Sequence, residues 1–201
     1  MHMQESPVAI FAKENGIECL KPETLSGLDK NLENYDLAIV VAYGKIMPEK
    51  ILNAPKLGSI NIHYSLLPKY RGAAPVEAAI LNGDTETGVS IQKMFPKLDA
   101  GHILAQEKVK ILPDETAPEL RLRLIKIGGN LLVKLLQTPS ASGISPFAGG
   151  EKQNELQATY CKKIKKEDGL IDLNDDPVKN YNKFRAHAAW PRTFFLKNNK
   201  R

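Results

Sequence analysis

The 201-residue sequence is short of cysteine, has one tryptophan and carries no long apolar run. Each shortage removes a class of protein. Cys19 and Cys161 stand far apart, without the C-x-x-C spacing of a thiolate metal site or redox pair. They read as reduced thiols of a cytoplasmic protein. No apolar stretch approaches the ~18 residues needed to span a bilayer, so no membrane association is expected. The opening Met1-His2-Met3-Gln4-Glu5 lacks a basic region followed by an apolar core, so no secretory signal is expected. There is no G-x-x-x-x-G-K-[ST] and no G-x-G-x-x-G, so no resident nucleotide is indicated, and no metal-ligand cluster is written in the sequence.

What is present is globular in balance: 42% hydrophobic and 25% charged residues, enough for one sizeable core and an appendage. The net charge of +5 and pI of about 9.1 tolerate a polyanionic partner without requiring one. Lys162, Lys163, Lys165 and Lys166 crowd one stretch, and Lys197, Lys200 and Arg201 end the chain. Such runs are more often solvated faces than binding sites.

Along the chain, Ser6-Pro7 opens a helix that Asn15-Gly16 closes. Ile17 to Leu20 suggests a short strand. Asp36 to Ala42 is a continuous apolar run, as in a strand buried on both faces of a parallel sheet. A short helix is expected over Pro48 to Leu52, a strand over Ser59 to His63, a helix over Pro75 to Leu81 and a strand over Gly88 to Phe95. His102 to Ile111 reads as an edge strand. Thr116 and Glu119 form a capping box for a helix reaching about Leu136, which Gly128-Gly129 is expected to loosen. Residues 138–150 are rich in Pro, Ser and Gly and read as a linker. They divide a first domain, 1–137, from a second segment, 151–201. The latter carries strand signals at Thr159 to Lys163 and Ile171 to Leu173, a turn at Asp168-Gly169, and a helix after Pro177. Alternating strands and helices indicate an α/β sheet protein.

One strand carries unusual polarity. With a period of two, Ile60 and Ile62 face one way and Asn61 and His63 the other. Asn is disfavoured in strands, and paired polar groups on one face need partners. An amide donor beside an imidazole can polarise a carbonyl oxygen, and a nearby carboxylate such as Asp99 would favour the charged imidazole. Taken singly, each residue has an ordinary reading: a structural histidine, or an Asp that forms the turn Leu98-Asp99-Ala100-Gly101.

Taken together, three stretches resemble the folate-dependent formyltransferase family, and within it the branch that formylates methionyl-tRNA. N-I-H-Y-S-L-L-P-K-Y-R-G-A-A-P (Asn61 to Pro75) is similar to the family signature. T-G-V-S-I-Q-K-M (Thr87 to Met94) and L-D-A-G-H-I-L-A-Q (Leu98 to Gln106) continue it. The tRNA branch is favoured by A-T-Y-C-K-K-I-K-K-E-D-G-L-I-D-L (Ala158 to Leu173) and F-R-A-H-A-A-W-P (Phe184 to Pro191).

The resemblance implies a Rossmann-like, mostly parallel sheet followed by the start of a C-terminal β-barrel that binds tRNA. It implies that Asn61 hydrogen-bonds the formyl oxygen, that protonated His63 stabilises the oxyanion and shuttles a proton, and that Asp99 holds His63. Ser65, Leu66, Leu67 and Pro68 would line the tetrahydrofolate site. The loop with Tyr43, Gly44 and Ile46 would meet the pterin, although Gly44 and Pro48 read equally as plain turn residues. Arg71 would shape the entry loop, meet substrate or make a structural ion pair. The implied co-substrate is 10-formyltetrahydrofolate without a metal, the acceptor is initiator methionyl-tRNA, and the implied state is a monomer.

The chain departs from the family pattern by starting at a Ser-Pro-Val helix without the preceding strands, by ending early in the barrel, and by His102 and Arg192. Alternatives are therefore a fragment that needs a complementing partner or keeps only tRNA binding, and a formyltransferase for nucleotide-linked amino sugars.

Overall fold

The computed structural model describes residues 5–138, 147 and 149–196. Its elements in chain order are α1 (Pro7–Glu14), α2 (Leu28–Leu32), β1 (Ala38–Val41), α3 (Glu49–Leu52), β2 (Ser59–His63), β3 (Arg71–Gly72), α4 (Pro75–Leu81), β4 (Glu86–Lys93), β5 (Ile103–Lys110), α5 (Ala117–Gln137), β6 (Tyr160–Cys161) and α6 (Pro177–Ala186). The α/β class read from the sequence holds. In α1, the Ser6 hydroxyl accepts from Ala9 N at 3.3 Å, and the chain leaves the helix through Asn15 and a left-handed Gly16. Ile17 to Leu20 is irregular rather than a strand: among the described residues no strand pairs with it, and both Ile17 and Leu20 are exposed.

Four strands form the main sheet in the order β1-β2-β4-β5. β1 and β2 are parallel, as the α3 crossover between them requires, whereas β2–β4 and β4–β5 are antiparallel. The sheet is thus mixed, and β5 lies at one edge as its polarity suggested. β1 forms the other edge. Its Ile39 and Val41 are 43% and 48% exposed, so it is not buried on both faces as its apolar run implied. An apolar run records what a strand is able to bury, and burial itself depends on what packs against it.

On the packed face, Ile60, Ile62, Val89 and Ile91 meet Leu120 and Leu124 of α5 and Val76, Ala79 and Ile80 of α4. The capping box that starts α5 is formed: the Glu119 carboxylate accepts from Thr116 N at 2.9 Å and from its hydroxyl at 2.6 Å. The helix then runs unbroken through Gly128-Gly129. Gly128 lets α5 approach the sheet closely: a Cβ there would stand 3.1 Å from Ile62 Cγ2 and 3.3 Å from Val89 Cγ1. The helix that Gly128-Gly129 was expected to loosen is thus intact, and Gly128 leaves room for the sheet side chains beneath it.

Beyond α5, the expected strand at Thr159 to Lys163 contracts to β6, which pairs in parallel with β3. A Cβ on Gly72 would lie 2.2 Å from Cys161 O, so only glycine allows this pairing. Asp168-Gly169 belongs to a 3-10 turn over Lys166–Gly169. Ile171 to Leu173 forms no strand, although Leu170 makes one bridge to Phe194. In α6, the Asp176 carboxylate caps the backbone N–H groups of Val178 and Lys179, and the helix packs on α4. Lys162, Lys163, Lys165 and Lys166 are all exposed. Most of the 138–150 linker and the basic residues Lys197, Lys200 and Arg201 lie outside the described residues. Phe147, within that linker span, is buried in the main core.

Candidate active site

The sheet face away from α5 collects the polar residues of β2 and β4. In register, Asn61 stands opposite Gln92, and His63 opposite Ser90. The antiparallel pairing puts all four side chains on the face away from α5.

His63 is buried, at 6% exposure. Its Nε2 donates to the backbone oxygen of Tyr70 at 2.9 Å, which leaves Nδ1 facing Asp99 Oδ2 at 3.8 Å. Asp99 sits in the turn between β4 and β5 with φ of 47°, a left-handed conformation costly for a residue with a Cβ. Its carboxylate is gripped on both oxygens. Oδ2 accepts from Gly72 N at 2.8 Å, and Oδ1 accepts from Gln92 Nε2 at 2.8 Å. The structure thus brings His63 and Asp99 together, from positions that only the fold makes neighbours. Asn61 is half-buried on the same face and makes no side-chain hydrogen bond among the described residues. A donor on a sheet face without a protein partner is available to a ligand.

The Ser65–Pro68 loop is held from behind. The Ser90 hydroxyl donates to Ser65 O at 2.6 Å and accepts from Leu67 N at 3.1 Å and from Gln106 Nε2 at 2.7 Å. Ser65 has no exposed surface and its hydroxyl donates to Lys69 O at 2.6 Å, while Leu67 is also buried. Neither presents an open side-chain surface. Leu66 and Pro68 border a cleft of about 620 Å³ together with Lys69, Tyr70, Thr87 and Thr159. Asn61, His63 and Asp99 do not line this cleft. The candidate site is marked by convergent polar groups rather than by cavity size.

Tyr43, Gly44 and Ile46 are exposed in the loop after β1. Because β1 and β2 run parallel, this loop leaves the sheet at the same end as His63. No hydrogen bond joins it to Asn61, His63 or Asp99 among the described residues.

Arg71 is resolved as a structural group. It is fully buried, pairs with Glu155 at 2.8 Å, donates to Gln153 Oε1 at 3.1 and 2.8 Å, and lies over the Tyr160 ring. The Arg71 hydrogen bonds, reinforced by Lys97, pull the Glu155 carboxyl down to about 2. Burial and the hydrogen bond to Asp84 push the Tyr70 phenol up to about 12. Two site residues escaped the sequence reading, Gln92 and Gln153. Gln92 was recoverable once the β2–β4 register is known; Gln153 had no local signal. His102 packs edge-on to Phe95 at 5.2 Å, away from the Asp99 carboxylate bonds. Among the described residues no three His, Cys, Asp or Glu side chains group as a metal site, and no helix is long and apolar enough to cross a membrane.

The chain is 43% identical to the methionyl-tRNA formyltransferase of Dictyoglomus turgidum over 197 residues, covering 94% of this chain and 62% of that protein. It is 39% identical to the protein of the same name from Mycoplasmopsis pulmonis over 202 residues, covering 99% of this chain and 68% of the relative. The chain therefore spans somewhat under two thirds of the Dictyoglomus relative's length. Among solved structures, the N-formyltransferase from Helicobacter canadensis in complex with folinic acid and dTDP-3-aminofucose superposes with a TM-score of 0.74 at 22% identity. That match covers 99% of this chain and 70% of the other, and a likeness at this identity establishes the fold alone. A formyl transferase family model matches residues 2–136, and a formyl transferase C-terminal domain model matches residues 163–201. On these matches, which take in the whole of this sheet face, the chain belongs to the formyl transferase family.

Proposed function

We propose that this chain transfers the formyl group of 10-formyltetrahydrofolate to the α-amino group of initiator methionyl-tRNA. The observation that carries the proposal is the half-buried amide of Asn61, without a hydrogen-bond partner among the described residues, two residues from a histidine that Asp99 faces on the same sheet face.

The amine lone pair attacks the formyl carbon, a C–N bond forms, and negative charge collects on the formyl oxygen. Asn61 donates to that oxygen. His63, when protonated, adds the field of a cation whose two N–H groups are already directed at Tyr70 O and Asp99. Such preorganised donors lower a barrier because they need no reorientation as the charge develops. The C–N10 bond then breaks, tetrahydrofolate leaves as the product, and one proton passes net from the attacking amine to N10. Direct proton transfer through His63 requires Nε2 to release the Tyr70 carbonyl, so in the observed arrangement its first role is electrostatic.

A folate donor is supported by the folinic acid in the Helicobacter canadensis relative, and an aminoacyl-tRNA acceptor by the higher identity to proteins of that name. In this reading residues 1–137 carry the chemistry, 138–150 connect, and 151–201 begin the surface for tRNA. The exposed lysines at 162, 163, 165 and 166 suit a phosphate backbone. The chain works in the cytoplasm as a monomer.

The test is formyl transfer from 10-formyltetrahydrofolate to methionyl-tRNA, run beside a nucleotide-linked amino sugar as acceptor. Formylation of the tRNA alone is expected. Formylation of the sugar alone would replace the acceptor while keeping the chemistry. Transfer to neither would contradict the proposal.

A further inference from the structure

Gln153 lies beyond the linker, far in sequence from the sheet face away from α5, yet its amide sits inside the hydrogen-bond network behind Asp99. It is 5% exposed. Two backbone bonds between Glu151 and Ile103, at 2.8 and 2.9 Å, add Glu151 to the edge of β5 and deliver Gln153 to this place. Its Nε2 donates to Asp99 O at 2.9 Å and Gly101 O at 2.7 Å, with Gln92 Oε1 further away at 3.3 Å. Its Oε1 accepts both Nε and Nη2 of Arg71. A primary amide has two N–H donors and an oxygen with two lone pairs, so every hydrogen-bonding capacity of Gln153 is used.

The consequence is a closed ring. Gln153 holds the backbone that carries the Asp99 carboxylate. Through Arg71 it also holds the strand β3, whose Gly72 N–H grips that same carboxylate. Asp99 has left-handed backbone geometry, which persists only where its surroundings enforce it. The carbonyls bonded by Gln153 belong to Asp99 itself and to Gly101, so the amide clamps the turn at the residue where the conformation is least favourable. The Gln92 amide reinforces it from β4, accepting from Gly101 N at 3.2 Å.

We propose that Gln153 is a positioning residue for formyl transfer, fixing the Asp99 carboxylate against His63. The proposal rests on the functional reading of Asn61, His63 and Asp99 given above. It makes the segment after the linker part of the machinery for catalysis, in addition to any role in binding the acceptor.

The test uses Gln153→Glu and Gln153→Leu in the full chain, with Asp99→Asn as reference. The glutamate keeps the acceptor for Arg71 and loses both donors to the turn, while the leucine loses all of them. Three readouts are taken: the thermal midpoint, kcat and KM for donor and acceptor, and the ring ¹⁵N resonances of His63 in histidine-labelled protein. In the folded variants kcat is expected to fall by about 10- to 100-fold, the range of a lost positioning group. Both KM values should stay within about twofold of the parent, because uniform binding is untouched. The His63 resonances should move toward those of Asp99→Asn. If the leucine variant does not fold, Gln153→Asn, whose shorter amide reaches one carbonyl at most, carries the same comparison.

Unchanged kcat and unchanged His63 resonances in a folded variant would overturn the proposal. So would a fall in kcat matched by a rise in both KM values with His63 unmoved, since that marks general loosening. If Asp99→Asn alone left kcat intact, the functional reading would fail, and the His63 resonances of the Gln153 variants would still report whether the amide positions Asp99.

Discussion

The two edges of the main sheet are built differently. On the β4–β5 side, polar side chains are tied into the fold: Ser90, Gln92 and Gln106 reach across to the Ser65–Pro68 loop and the Asp99 turn, and Gln153 joins them from the second segment. On the β1 side, Ile39, Val41, Tyr43 and Ile46 are exposed, the last at 88%. His63 of β2 and Asp99, the proposed catalytic pair, meet where Gln92 and Gln153 hold the Asp99 turn. The loop that resemblance assigns to cofactor contact belongs to the open side. Under the proposed function, chemistry falls on the tied side and cofactor contact on the exposed loop, a division that suits chemistry, which is lost by small displacements, better than binding, which tolerates adjustment.

The sharpest way to break this contrast is to cut residues on both sides. Asn61→Ala and His63→Ala are each expected to lower kcat by about 10²–10³-fold. Tyr43→Ala should leave kcat near the parent value and raise the KM for the folate by no more than about tenfold. Equal losses at Tyr43 and Asn61 would erase the distinction.

A second pair addresses stability. Ser90→Ala removes a buried hydroxyl that serves three partners, and should destabilise the chain by about 2–3 kcal/mol in denaturant unfolding. Val41→Ser, on the half-exposed edge, should stay within about 1 kcal/mol. A Ser90→Ala protein as stable as the parent would show that the loop is held by something other than these bonds.

The smallest effect concerns pH, at His187 just after α6. His187 is 1% exposed, and neither ring nitrogen has a hydrogen-bond partner among the described residues. Burial lowers its pKa below the ordinary 6.5, more than the opposing pull of Asp168 raises it, while Lys183 also disfavours the charge. The unfolded chain therefore takes up this proton at higher pH than the folded chain does. No stability is lost to this group above about pH 6.5, and a loss grows as pH falls from there to the lowered folded value. Thermal midpoints measured between pH 7.5 and 5.5 should fall, and His187→Leu should flatten that slope. A slope the substitution leaves intact would assign the effect to other groups.

The parts of this molecule legible in the sequence are those fixed locally. The Thr116–Glu119 capping box, the Ser6 cap, the alternation in β2 and the edge character of β5 each follow from neighbouring residues. Asn61, His63 and Asp99 stood out because together they matched a family pattern. What escaped depends on distant packing. The burial of β1 is decided by what covers it, and Gly128 reads as a helix weakness until the sheet beneath it is seen. The left-handed backbone at Asp99 and its clamp by Gln153, joined over a separation of 54 residues, have no local signature. The inward burial of the Ser65 and Leu67 side chains was likewise not written in the motif that singled them out.

The most direct test of the central claim, that this sheet face holds a formyl-folate, is thermal unfolding of the full chain titrated with 5-formyltetrahydrofolate. A ligand that binds only the folded state raises the midpoint by mass action. The account predicts one cooperative transition whose midpoint climbs with ligand concentration, and a weaker climb for Asn61→Ala. A transition indifferent to the folate at every concentration would contradict it.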